Sequence, residues 1–158
     1  MTKWLKRIGI AAVVLLAVMQ VYQPRRTNPV VDPKQEIHGV LNVEPAVANV
    51  LHRACNDCHS NRTEWPWYSR VAPASWLVVS DVDRGRAAVN FSEWGRYSAK
   101  DQQKHLKEMC SEVAEGEMPA LQYALMHRDA KLSTDERNAV CRWTRSLAGS
   151  GGEAETGD

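Results

Sequence analysis

The feature that most constrains this chain of 158 residues is the run Cys55-Asn56-Asp57-Cys58-His59. Two cysteines separated by two residues and followed at once by a histidine form the C-x-x-C-H pattern of covalent haem attachment. In that chemistry both thiols add to the vinyl groups of haem, and the adjacent imidazole binds the iron at its fifth position. The run therefore predicts one covalent haem c, held by thioethers to Cys55 and Cys58, with His59 as the proximal iron ligand.

Three other uses of paired cysteines compete with this interpretation: a redox-active dithiol, half of a zinc site and a structural disulfide. A thioredoxin-like dithiol requires a strand-helix-strand context, which the sequence around Cys55 lacks. Zinc requires a second ligand pair of similar spacing, whereas Cys110 and Cys141 stand far apart. Haem attachment is therefore the preferred interpretation.

A second iron ligand is expected among the methionines and histidines. Met118 stands out, because Gly116-Glu117-Met118-Pro119 is a proline-restricted loop that can hold a thioether toward the iron. A His59–Met118 pair predicts a comparatively high reduction potential and a closed coordination shell suited to electron transfer. His127 is the main rival as the distal ligand, and Met118 could also be an ordinary core methionine. The other candidates of these two residue types are Met109, Met126, His105 and His52.

Apolar residues recur at helical spacing, and no stretch alternates convincingly with period two. Helices are expected over residues 45–54, 73–83 and 99–115, with Gly85 ending or bending the second and Gly116 ending the third. A last helix follows the Ser133–Glu136 capping box and buries a stripe that runs to Leu147. The sequence thus predicts an all-α domain over residues 43–148.

The first 24 residues have the order of an export signal. Lys3, Lys6 and Arg7 precede an apolar run over residues 8–21, and no cleavage site of Ala-x-Ala type follows. We expect an uncleaved signal-anchor or transmembrane segment over residues 1–24. The prolines of residues 25–42 predict an extended linker, and residues 149–158 are expected to be a disordered tail.

The charge distribution limits the partners. The net charge is +1, but residues 1–26 hold five basic and no acidic side chains, which leaves 15 basic against 19 acidic in the rest. An acidic domain without a basic cluster argues against a nucleic-acid partner. Redox proteins and a membrane are the partners expected.

Cys110 and Cys141 fall on separate predicted helices, and such a pair often forms a disulfide in an oxidising compartment. That bond would enclose the Met118 loop, and two buried free thiols are the alternative. Arginines are also expected to bind haem propionates through charge-assisted bonds, although a solvated side chain is the alternative for each. The candidates are Arg70, Arg84 and Arg86.

Several stretches together resemble the haem-binding domain family of c-type cytochromes. They are the Cys55 to His59 run, Trp65-Pro66-Trp67-Tyr68, Asn90-Phe91-Ser92-Glu93-Trp94, Gly116-Glu117-Met118-Pro119, and Leu132-Ser133 onward. The resemblance covers about residues 40 to 147. It implies a cytochrome c-like helical fold, covalent haem and an exported location, since haem attachment of this type takes place outside the cytoplasm.

These observations predict a membrane-tethered monohaem c-type cytochrome that transfers single electrons and is not an enzyme. Its domain is expected to face the periplasm from the inner membrane, or to be free in the periplasm if the signal is cleaved. The alternative is a haem enzyme or a gas or redox sensor, in which the sixth iron position is vacant or Met118 is labile. A further alternative is a scaffold subunit whose haem mainly supports the fold.

Overall fold

The computed structural model describes residues 2–150, and all regular structure in this range is helical. The all-α prediction is confirmed. The α-helices are α1 (Thr2–Met19), α2 (Ile37–Val40), α3 (Pro45–Ala54), α4 (Asn56–His59), α5 (Ala74–Ala88), α6 (Ala99–Glu115), α7 (Leu121–Met126) and α8 (Thr134–Ser150). Short 3₁₀ helices lie at Trp67–Arg70, Phe91–Arg96 and Arg128–Ala130. Most of the predicted tail, from residue 151, lies outside the described residues.

Three helices build the core. α6 packs along α8, and α3 packs on α8 as well. Each buries a stripe at helical spacing, because residues three and four apart share one helix face. The buried apolar residues of these helices are Val47, Val50, Leu51 and Ala54 on α3, Leu106, Cys110 and Val113 on α6, and Val140, Cys141 and Trp143 on α8.

A disulfide joins α6 to α8. The Cys110 and Cys141 sulfurs are 2.03 Å apart, and the two residues are separated by 31 positions in sequence. The predicted pairing is confirmed. Because the closed loop contains residues 111–140, the bond encloses Met118 and the whole of α7.

Removing this disulfide is expected to lower the free energy of unfolding by about 3 to 4 kcal/mol, from the chain entropy of a loop of this length. The test compares urea unfolding of the parent with that of the Cys110→Ala, Cys141→Ala double variant, with and without reductant. Reductant should destabilise the parent and leave the variant unchanged. Equal stability of the two oxidised proteins would contradict the prediction.

α8 begins with the predicted capping box. The Ser133 amide donates to Glu136 Oε2 at 2.8 Å, and the Glu136 amide donates to Ser133 Oγ at 3.3 Å. Arg53 of α3 also forms an ion pair with Glu136 and donates to the Asp129 carbonyl. The bond from the Ser133 amide, together with Arg53, lowers the pKa of Glu136 below its usual 4.5. This carboxylate therefore ties the start of α8 to α3.

The Glu136→Gln variant is expected to lose about 1 kcal/mol of stability at neutral pH, because the partly buried ion pair with Arg53 is lost while glutamine can still accept from the Ser133 amide. The folded pKa of Glu136 lies below the unfolded value. Its contribution is therefore complete above about pH 4.5 and is lost as the pH falls through the folded pKa. Urea titrations at pH 7 and below pH 4.5 should show a difference between parent and variant that shrinks in acid. A constant difference would contradict this assignment.

The sequence suggested that the helix ends or bends at Gly85. α5 instead continues through Gly85 to Ala88. Gly85 is buried, and a Cβ at this position would lie 2.9 Å from the carbonyl carbon of Cys58. The glycine therefore permits close contact between α5 and α4 rather than stopping the helix. Gly116, in contrast, ends α6 in the left-handed conformation with φ 83°, as predicted.

The N-terminal part of the chain consists of α1 and a strap, defined here as residues 20–28. Across residues 2–150, none of the helices has the length and apolar character needed to cross a bilayer. The structure thus does not show the membrane segment predicted for residues 1–24.

The strap lies against the domain, although residues 25–42 were predicted to form a spacer. Gln20 donates to the Ala72 carbonyl and accepts from the Ala72 amide, at 3.2 and 3.0 Å. Trp76 Nε1 donates to the Tyr22 carbonyl at 2.8 Å, and Arg26 donates to the Ser69 carbonyl at 2.9 Å. Polar side chains along residues 20–28 therefore bind backbone groups of the domain.

Candidate functional site

The C-x-x-C-H run lies where α3 passes into the single turn of α4. The Cys55 amide donates to the Leu51 carbonyl at 3.1 Å, and the His59 amide donates to the Cys55 carbonyl at 2.9 Å. The helical path therefore continues almost without a break from α3 through the run. Cys55, Cys58 and His59 are brought together on adjoining turns, each half-buried.

The two thiols are free rather than joined to each other. Burial raises the pKa of Cys55 to about 12 and that of Cys58 to about 11. A reactive dithiol instead has a lowered thiol pKa, so these values weigh against the dithiol alternative. Among residues 2–150 there is also no group of three or more His, Cys, Asp or Glu side chains arranged to hold a metal ion.

His59 is held by the backbone at one ring nitrogen. Its Nδ1 lies 3.2 Å from the Val89 carbonyl oxygen, which can only accept, so Nδ1 carries the hydrogen. The ring stacks on Phe91 with centroids 5.7 Å apart. Burial lowers the pKa of His59, which favours the neutral ring. Nε2 therefore carries the lone pair that could bind a metal.

A cavity of about 550 Å³, called here the main cavity, opens beside this run. Cys55, His59 and Met118 all line it. Much of its remaining wall is apolar, with Ala54, Ala88, Val89, Phe91, Met109 and Val113. Its volume lies in the range of small-molecule and cofactor sites. A smaller cavity of about 320 Å³ is lined by Cys58 and again by His59 and Met118.

Met118 is positioned by the end of α6. After Gly116 reverses the chain, the amides of Glu117 and Met118 both donate to the Glu112 carbonyl, at 3.0 and 3.1 Å. The Met118 side chain is half-buried against the core. The structure thus brings Met118 to the cavities that His59 lines.

The rival ligands are placed differently. His127 does not line the main cavity, and its Nε2 lies 2.7 Å from the Tyr68 hydroxyl. His105 does line it, but its ring packs on Tyr97 with centroids 4.8 Å apart and its Nδ1 lies 3.4 Å from a Glu108 oxygen. Met109 lines it from α6, whereas Met126 and His52 are exposed. Of the six candidate side chains, Met118 is the one that lines both of the cavities that His59 lines.

Sequence reasoning missed a cluster beside the attachment run. The Tyr123 hydroxyl donates to Asp57 Oδ2 at 2.8 Å, and its ring stacks on His127 at 4.2 Å. Together with Tyr68, these residues line an apolar cavity of about 300 Å³, called here the side cavity. Burial and the bond to Asp57 raise the pKa of Tyr123, so its hydroxyl remains a donor at neutral pH. Nothing in the local sequence marks Asp57 and Tyr123 as partners, since 66 positions separate them.

Two of the three arginines suggested as partners of haem propionates have other partners. Arg86 donates to the Ser60 carbonyl at 2.7 Å, the Thr27 carbonyl at 2.9 Å and Thr63 Oγ1 at 2.8 Å. Arg84 forms an ion pair with Asp81 at 2.8 Å, and Arg70 is exposed. Arg86 therefore joins α5 to the strap and to the segment that follows His59.

The Arg86→Ala variant is expected to destabilise the domain by about 2 to 3 kcal/mol, because the Ser60 and Thr27 carbonyls and Thr63 Oγ1 all lose a charged donor. Arg86→Lys should recover only part of this loss, since an ammonium cannot reproduce the planar fork of donors. Arg84→Ala, which removes an exposed ion pair, is the control and should cost under about 1 kcal/mol. Urea unfolding of the three variants gives the comparison, and equal losses for Arg86→Ala and Arg84→Ala would contradict it.

Haem fits the main cavity by its chemistry. The wall is largely apolar, while Lys104, His105 and Glu108 bring polar groups to it. A large apolar ring with polar substituents would match this combination of surfaces.

Fold and site together define a class: an all-helical domain in which a C-x-x-C-H run lies beside a cofactor-sized cavity. Residues 14–146 match the model of one protein family, described as a haem-binding domain. The chain belongs to this haem-binding domain family, as its sequence resemblance suggested. No curated protein and no solved structure matches it.

Proposed function

We propose that this haem-binding protein is a monohaem c-type cytochrome that passes single electrons to and from partner proteins. The observation that carries the proposal is the main cavity, which Cys55, His59 and Met118 all line. Two free thiols, a neutral imidazole and a thioether are the groups that covalent attachment and axial ligation require. A bound haem would supply an iron that gains or loses one electron.

In this proposal each residue of the site has a distinct task. Cys55 and Cys58 would form the thioethers, and His59 would bind the iron through Nε2 while Val89 fixes its ring. Met118 would be the second iron ligand, and its thioether would complete the coordination shell. The apolar wall, including Phe91 and Val113, would exclude water and favour the less charged state of the site.

The test is the alkaline pyridine spectrum of the chain after denaturation and washing, from a host with haem-attachment machinery. One haem per chain is expected to remain. Absence of haem from the denatured chain, with haem present in the folded protein, would show that it binds without thioethers. Slow cyanide binding to the ferric protein is expected for an electron carrier, whereas rapid binding would favour the enzyme or sensor.

We further propose that α1 tethers the domain to the outer face of a membrane. The support is the exposed apolar surface of α1, including Ile10, Val14 and Leu15, which follows three basic residues. An exposed apolar helix beside a folded domain is typical of membrane association. The intact chain should sediment with the membranes. Protease added to intact spheroplasts should digest the domain. Release of the intact chain on osmotic shock would contradict the tether.

A further inference from the structure

The segment that carries Met118 is held on both sides. At its start, the amides of Glu117 and Met118 donate to the Glu112 carbonyl of α6. Five residues after Met118, α7 presents Tyr123, whose hydroxyl donates to Asp57 Oδ2 at 2.8 Å. Asp57 lies between the two cysteines of the attachment run. One hydrogen bond therefore links this run directly to the methionine segment.

Both partners of that bond are themselves fixed. Asp57 Oδ1 accepts from the Glu64 amide at 2.8 Å, which orients the carboxylate. The Tyr123 ring lies almost parallel to that of His127, at 9° between the ring planes. His127 is bonded in turn to the hydroxyl of Tyr68. The bond between Tyr123 and Asp57 thus belongs to a series of side-chain contacts along the wall of the side cavity.

We propose that Tyr123 and Asp57 are positioning residues that hold the Met118 segment closed over the main cavity. The inference rests on the proposed His59–Met118 ligation. Neither residue binds the iron, and both act through the backbone between Met118 and α7. A segment held by few contacts opens locally, and each opening exposes the sixth iron position. The Tyr123–Asp57 bond therefore sets how often Met118 leaves the iron.

The experiment measures imidazole binding to the ferric holoprotein by stopped flow. At saturating imidazole the rate is limited by opening of the Met118 segment. Tyr123→Phe, which removes a single hydroxyl, should raise this limiting rate roughly three- to tenfold, as expected for loss of one hydrogen bond to a carboxylate. The control is Tyr97→Phe, whose half-buried hydroxyl accepts from the Asn90 amide at 2.9 Å, and its rate should be unchanged.

A conservative rescue separates positioning from general destabilisation. In Asp57→Asn the remaining oxygen can still accept from the Glu64 amide, and the new amide group can donate to Tyr123. This variant should keep the limiting rate close to that of the parent, whereas Asp57→Ala, which also removes the acceptor for the Glu64 amide, should raise the rate at least as much as Tyr123→Phe. If Asp57→Ala fails to acquire haem, the pair of tyrosine variants decides the question.

The outcomes separate this inference from the proposed ligation. A limiting rate in Tyr123→Phe equal to that of the parent, or an equal rise in Tyr97→Phe, would overturn the positioning role. If Met118→Ala and the parent bind imidazole equally fast, Met118 is not a ligand and the proposed ligation itself fails. The inference is supported when Met118→Ala is fastest, Tyr123→Phe is intermediate and Tyr97→Phe equals the parent.

Discussion

Serine at both Cys55 and Cys58 is expected to abolish covalent haem attachment. A hydroxyl does not add to the vinyl groups as a thiol does, so neither thioether can form. Haem then remains only through His59, Met118 and the apolar wall, and it should be lost when the chain is denatured and washed. The measurement is the pyridine spectrum per chain, which should fall from one haem to none. The Cys55→Ser single variant should keep its haem by one thioether.

The matched control is the Cys110→Ala, Cys141→Ala double variant, which removes the other two cysteines of the chain. These sulfurs are joined to each other between α6 and α8, so haem attachment should persist in this variant. Haem retained by the Cys55→Ser, Cys58→Ser protein after denaturation would show that the thioether assignment is wrong. Loss of haem from the control alone would place the attachment elsewhere.

Met118→Ala is expected to keep its covalent haem but to change its spin state. Without the thioether, the ferric iron should become high-spin or bind water, and the reduction potential should fall. Absorption and electron paramagnetic resonance spectra report the spin state, and a redox titration reports the potential. The long-wavelength band from sulfur to ferric iron should disappear completely.

His127→Ala and Met126→Ala are the controls for this prediction. Both side chains line the side cavity and not the main cavity. Each variant should therefore retain the low-spin spectrum of the parent. A high-spin spectrum in His127→Ala together with an unchanged Met118→Ala protein would transfer the sixth position to His127.

The helices that build the core could be predicted from sequence because their information is local. Val47, Val50 and Leu51 mark one face of α3, and Ser98 and Gly116 bound α6 by their capping preferences. The capping box of α8 is equally local, since Ser133 and Glu136 lie three positions apart. Periodicity and caps therefore gave the correct core without knowledge of the tertiary contacts.

The features that the sequence did not reveal depend on distant contacts. Gly85 lies within α5 because Cys58 packs against it, a contact across 27 positions that no local rule contains. α7 was missed because six residues give too short a period to recognise. For the same reason, Arg86 was only one of three candidates for the haem propionates, and its partners on the strap and beyond His59 could not be foreseen. The attachment motif and the candidate ligands can be recognised from short stretches of sequence, whereas the residues that position them come from distant parts of the chain.

The strap also determines how the domain is oriented relative to α1. A flexible linker of about 20 residues has a root-mean-square end-to-end distance of roughly 25 Å and would let a domain rotate freely. Here Gln20, Tyr22 and Arg26 form hydrogen bonds with the domain directly after α1, so this part of the chain is not a flexible linker. The orientation of α1 relative to the domain is therefore fixed. The bonds of the strap therefore fix the direction in which the main cavity faces relative to α1.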